Sequence, residues 1–109
     1  LSIFADNYFE YSSYTDAYRE VAGMVEYNRY AVGRVIRQLR KERKLSQEVF
    51  SGLTGLARSH LAMIESGRKQ ANFETIWRIA VAFDVLPHIL VQRIEEEAVK
   101  EQSQSPQTK

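Results

Sequence analysis

Between residues 30 and 44 the chain sets Arg34, Arg37, Arg40, Lys41, Arg43 and Lys44 against one carboxylate, Glu42, a net charge of +5. The surrounding stretches are poorer in cations: residues 1–29 sum to −3, residues 45–70 to +1 and residues 71–100 to −2. Guanidinium and ammonium groups gathered in one stretch attract polyanions, an asymmetry hidden in the whole-chain charge of +1. A solvated helix face can carry the same run, so charge alone leaves both readings standing. Arg58, Arg68 and Lys69 add a second cationic group downstream.

Catalytic chemistry has little to work with. Cysteine is absent, which removes disulfides, thiolate zinc ligands and a cysteine nucleophile. The two histidines, His60 and His88, have no clustered carboxylates at metal-ligand spacing, and His88 reads as a surface residue of the last helix. No nucleophile elbow, phosphate-binding loop or plausible triad is present. The expectation is a non-enzymatic protein with no cofactor and no metal. No stretch approaches the roughly 18 apolar residues of a membrane span, and the first residues lack the basic region of a signal peptide. A cytoplasmic location without membrane association is therefore expected.

The elements that must position these cations are helices. An apolar content of 44% suits one small domain with a modest core. Val32, Val35, Ile36 and Leu39 fall at i, i+3, i+4 and i+7 and predict a helix over about 31–43, with Arg34, Arg37, Lys41 and Lys44 on its other faces. Ser46 offers the N-cap of a second helix and Glu48 suits its dipole. Val49, Phe50 and Leu53 are expected on its buried side. Gly52 inside it costs up to about 1 kcal/mol relative to alanine. Gly55 can take the left-handed conformation that ends it, and Leu56 plugs the turn.

A third helix over about 58–65 buries Leu61 and Ile64 and ends at Gly67. Its cap position holds Ala57, which has no side-chain acceptor, so its first N–H groups call for water or a phosphate oxygen. Asn72 caps a fourth helix reaching about residue 83, with Phe73, Ile76, Trp77, Ala80 and Phe83 as its expected core face. Pro87 opens a fifth, which carries Ile89, Leu90 and Ile94 to about Lys100. Residues 101–109 are polar and without period, the pattern of a disordered tail. No segment alternates convincingly as a strand. Residues 1–29 stand apart, with Phe4, Tyr8, Phe9, Tyr11, Tyr14, Tyr18 and Tyr27. Tyr18, Val21, Ala22 and Val25 recur at helical spacing there and predict a helix over about 15–27, preceded by an arm.

The stretch Leu45–Gln70 thus reads as two short helices about a glycine turn with basic residues just beyond. That layout presents the start of the second helix to a DNA major groove. Its motifs are Leu45-Ser46-Gln47-Glu48, then Gly55, then Leu61-x-x-Ile64-Glu65-x-Gly67, followed by Glu74-Thr75 and Ile79-Ala80. Together they resemble the Cro/C1-type, or XRE-like, helix-turn-helix family over about residues 31–92. Ala57 departs from the usual Ser or Thr cap, Ala71 from a frequent proline and Asp84 from a common glycine. The resemblance implies an all-α, five-helix, lambda-repressor-like DNA-binding domain over residues 30–100. Residues 1–29 are then a partly helical N-terminal extension and 101–109 a tail.

The resemblance also implies roles. Arg58, Ser59, His60 and Met63 match positions that face bases. An arginine can grip guanine O6 and N7 and a methionine can touch a thymine methyl. A plain surface charge at Arg58 and a core role for Met63 are the competing readings. Gln47, Arg68, Lys69 and Gln70 match positions that meet phosphates, which set register and affinity. Solubility is the competing account of Arg68 and Lys69. Arg40 and Glu65 match a structural pair joining the first and third helices. The implied function is a sequence-specific transcriptional regulator of double-stranded DNA, a repressor, binding half-sites about 34 Å apart as a homodimer. Ile89, Leu90 and Ile94, or the aromatic N-terminal segment, are the candidate dimer surfaces. The alternative is an antitoxin or adaptor that holds a protein partner through residues 1–29.

Overall fold

A computed structural model describes residues 26–104. The aromatic arm, most of the helix expected at 15–27 and the partner-binding role assigned to residues 1–29 lie outside the described residues. Glu26 and Tyr27, the last two residues of that expected helix, are not helical. Asn28 instead begins a new one: its side chain accepts from the N–H groups of Tyr30 at 2.9 Å and Ala31 at 3.2 Å.

Five helices follow: α1 (Arg29–Glu42), α2 (Gln47–Thr54), α3 (Arg58–Glu65), α4 (Phe73–Ala82) and α5 (Pro87–Gln104). Local chemistry sets most of their ends. Ser46 Oγ accepts from Val49 N–H at 3.1 Å, and Asn72 Oδ1 accepts from Thr75 N–H at 2.8 Å, each satisfying an orphan donor of the first turn. At three C-termini the chain turns through the left-handed region in the same way. Lys44 (φ 57°), Gly67 (φ 80°) and Asp84 (φ 61°) occupy that conformation. The following residues, Leu45, Arg68 and Val85, donate back to Arg40, Met63 and Ala80 at 2.9–3.1 Å. Two of those returning residues, Leu45 and Val85, also pack against the core. Gly55 (φ 78°) ends α2.

The core gathers Val35, Ile36 and Leu39 of α1, Phe50 of α2, Leu61 and Ile64 of α3, Ile79 and Ala80 of α4, Phe83, and Leu90 of α5. The Phe50 and Phe83 rings stack at 4.3 Å between centroids, tying α2 to the end of α4. Four expected core residues face outward instead: Val49, Leu53, Phe73 and Trp77 are each more than half exposed. The buried faces are Phe50, Ser51 and Thr54 on α2 and Thr75, Ile76, Ile79 and Ala80 on α4. Both faces are rotated relative to the strongest apolar signal, because short polar side chains can satisfy themselves locally. Ser51 Oγ donates to the Glu48 carbonyl at 2.8 Å, and Thr54 Oγ1 donates to that of Ser51 at 3.0 Å.

α5 continues to Gln104, so residues 101–104, read above as the start of a polar tail, are helical. Contacts with the start of α1 support the extension. Asn28 Nδ2 donates to Glu101 Oε1 at 3.0 Å, Glu26 N–H donates to Gln102 Oε1 at 3.3 Å, and Arg34 pairs with Glu97 and Glu101. Leu90, one of the residues considered for a dimer surface, is wholly inside the monomer's own core. Apolar side chains left uncovered include Trp77 and Val81 on α4 and Leu86 in the following turn. No helix among the described residues is long and apolar enough to cross a membrane.

Candidate nucleic-acid interface

α3 is eight residues long and is held from one side only. Leu61 and Ile64 are in the core and Glu65 is buried, while Arg58 and Ser59 at its start are exposed. His60 and Met63 are half-buried, between the anchored face and the open one. The four candidate base-facing residues therefore lie on one short helix but differ in freedom, with Arg58 and Ser59 the most open. Nothing caps this helix through a side chain: Ala57 stands at the cap in extended conformation (φ −65°, ψ 143°) without a side-chain hydrogen bond. An uncapped helix start bearing an arginine presents N–H groups and positive charge in one direction.

The end of α3 is fastened more firmly than its start. Arg40 Nε donates to Glu65 Oε2 at 2.7 Å and Arg40 Nη2 to Glu65 Oε1 at 2.9 Å, a two-point pair in which both residues are 7% exposed. The third arm of the guanidinium, Nη1, donates to the Leu45 carbonyl at 2.7 Å. The Glu65 carboxylate, through its hydrogen bonds and charge, raises the Arg40 guanidinium above its ordinary pKa against the opposing pull of burial. Gln47 Nε2 donates to Glu65 Oε1 at 3.0 Å. One carboxylate thus joins the ends of α1 and α3, the α1–α2 junction and the first residue of α2. The amide nitrogen of Gln47 carries a second proton that can still face a phosphate.

Two further contacts set the seat of α3, and neither was anticipated. Gly33 is in the middle of α1, and a Cβ there would lie 2.5 Å from the Ile64 carbonyl oxygen and 2.8 Å from the Glu65 carbonyl carbon. α1 and the last turn of α3 approach closely enough that only glycine fits between them. A glycine inside a long apolar-periodic helix was the available signal, since propensity disfavours it there. The Tyr30 ring lies over Gly67, where a Cβ would meet ring carbon Cε1 at 2.7 Å. Tyr30 closes the turn from which Arg68, Lys69 and Gln70 project, all three exposed. The N–H groups of Arg68 and Lys69 donate to the Met63 carbonyl at 2.9 and 3.2 Å, fixing that basic loop against α3.

The cationic run before the motif divides once folded. Arg40 is internal, Arg34 pairs with α5 carboxylates, and the Arg43 guanidinium lies 5.0 Å over the Phe83 ring. Arg37, Lys41 and Lys44 are exposed. His88 is exposed on α5, and no group of three or more His, Asp or Glu among the described residues could hold a metal ion.

Comparison with known proteins places this geometry. The helix-turn-helix family matches residues 36–90, just over half of the chain. The solved restriction-modification controller protein C.AhdI from Aeromonas hydrophila is 34% identical, covering 57% of this chain and 94% of that one, with a TM-score of 0.55. Two structures of the clp gene regulator ClgR from Corynebacterium glutamicum share the fold at 16% and 17% identity. They cover 73% and 75% of this chain, and 85% and 99% of their own, with TM-scores of 0.67 and 0.60. No curated protein sequence gives a significant match.

Proposed function

The chain belongs to the Cro/C1-type helix-turn-helix family and is a DNA-binding transcriptional regulator, and on that premise we propose that it reads operator DNA with the exposed start of α3. The carrying observation is the asymmetry of that helix. Leu61, Ile64 and Glu65 anchor it, while Arg58 and Ser59 stand open at its uncapped end. Arg58 addresses base edges, with Ser59, His60 and Met63 beside it. Gln47, Arg68, Lys69 and Gln70 meet phosphates on either side and set the register.

The regulator acts as a repressor and as a homodimer, its two recognition helices separated by about one DNA turn. The restriction-modification controller named above, 34% identical, is consistent with a regulatory role for this chain. Selection from random duplexes with the full chain tests the proposal. The expected product is a two-fold related motif, and Arg58→Ala should lose about 1–3 kcal/mol on it and relax preference at one position. Selection that enriches no motif, or Arg58→Ala that binds the selected duplex unchanged, would reject this assignment.

A further inference from the structure

α4 is apolar on two faces, and only one of them is used inside the monomer. Thr75, Ile76, Ile79 and Ala80 are buried. Phe73, Trp77 and Val81, spaced i, i+4 and i+8, are 69%, 51% and 62% exposed. The Phe73 and Trp77 rings touch edge-on at 5.9 Å, and Val81 is one turn beyond Trp77, so the three make one continuous stripe. Their uncovered surface comes to roughly 350 Å², within the range in which the largest apolar patch of a small protein often serves a function. Glu74 and Arg78, paired with each other at 3.1 Å, border one flank of the stripe.

We infer that this stripe is where a second copy of the chain docks, with the two α4 helices antiparallel about Trp77. The inference rests on the homodimer reading given above and supplies its surface. Three observations carry it. First, the area is sufficient: two copies remove about 700 Å² from these side chains alone, about two thirds of the apolar area in a standard dimer interface of roughly 1,600 Å². Second, the stripe is complementary to itself when reversed, as an isologous contact requires. In an antiparallel pair centred on Trp77, Phe73 of one copy faces Val81 of the other and the two Trp77 rings meet at the axis. Third, the flanking charges agree. A two-fold axis across antiparallel helices brings the Glu74–Arg78 flanks to the same side. Glu74 of one copy is then within two residues, about 3 Å along the helix, of the level of Arg78 of the other. Each carboxylate gains a second guanidinium, whereas a parallel pairing sends the two flanks to opposite sides.

α5 offers less to a second copy. Leu90 is inside the core and Ile94 packs against it.

Trp77 is the chain's sole tryptophan, so its fluorescence reads this surface directly. Dilution of the full chain should shift the emission to the red and raise acrylamide quenching. Both changes should fall in the concentration range where sedimentation equilibrium passes from two chains to one. Val81→Glu, at an exposed position, should raise the dimer dissociation constant by about tenfold or more, because it sets a carboxylate against the Phe73 ring. Helical circular dichroism should be unchanged. A dimer whose Trp77 emission ignores dilution, or one that tolerates Val81→Glu, would overturn the inference and leave the homodimer reading standing on another surface. A single chain at every concentration would remove both.

Discussion

Arg40 and Glu65 meet side-on across α1 and α3, with two hydrogen bonds of 2.7 and 2.9 Å between side chains that are both almost wholly buried. The pair sets the position of the last turn of α3, and its charges have little water to retreat to. Glu65→Ala leaves the guanidinium buried beside the Leu45 carbonyl without its counter-ion, at an expected cost of about 3–5 kcal/mol in urea unfolding. Replacing both residues by methionine should recover most of that loss, since it removes the unpaired charge as well as the pair. A single substitution costing under about 1 kcal/mol would show that water reaches the site.

Gly33→Ala discriminates packing from propensity. Helix propensity alone predicts a gain of about 1 kcal/mol. The structure predicts the opposite sign, a loss of about 1–3 kcal/mol, because the added methyl meets backbone atoms of Ile64 and Glu65 that have no rotamer to yield. Chemical denaturation gives the sign directly. The same variant should weaken operator binding beyond its effect on stability, since the methyl pushes α3 away from α1.

Gly52→Ala is the matching control. A Cβ there meets nothing within 4 Å, and Gly52 has an ordinary helical position in α2. Thermal unfolding should show a gain of about 0.5–1 kcal/mol. A loss would mean that the α2 backbone departs from regular helix at this residue.

Ala57→Ser should stabilise α3. The cap residue already has the extended backbone that a capping serine adopts, and only the acceptor oxygen is missing. The expected gain is about 0.5–2 kcal/mol in unfolding free energy. Weaker operator binding by the more stable variant would indicate that a phosphate uses the N–H groups that the serine engages. Unchanged stability would mean that the serine hydroxyl does not reach them.

Arg68→Ala and Lys69→Ala should weaken binding without altering base preference. Each phosphate contact removed should lower the slope of log affinity against log salt by about 0.9. Titrations at several salt concentrations on the operator and on a scrambled duplex check both parts. A changed sequence preference would move the residue from phosphate to base contact.

The parts legible in the sequence were those with a local cause. Ser46 and Asn72 cap the helices they precede, Gly55 and Gly67 take left-handed backbone, and Pro87 opens α5. Each depends on chemistry within a few residues, so a linear reading captures it. Asp84 stands where the family commonly has glycine, and it adopts φ 61°, a conformation that aspartate tolerates better than most residues. Burial was less legible. Trp77 and Phe73 carry the largest apolar signals of α4, but they contact each other edge-on at 5.9 Å on the exposed side. Hydropathy ranks side chains, and the rotation of a short helix is set by its neighbours.

The sequence by itself therefore determined the five helices of the motif, the turns between them and the family, because capping, left-handed turns and periodicity act over one or two turns of chain. Tertiary structure alone decided which cations remain outside, that Gln47 joins the Arg40–Glu65 pair, and that Gly33 lies directly against the Ile64 and Glu65 backbone of α3. Those outcomes rest on contacts between residues far apart in the chain, where ångström-scale distances choose between a buried ion pair and a solvated charge. No spacing rule contains those distances.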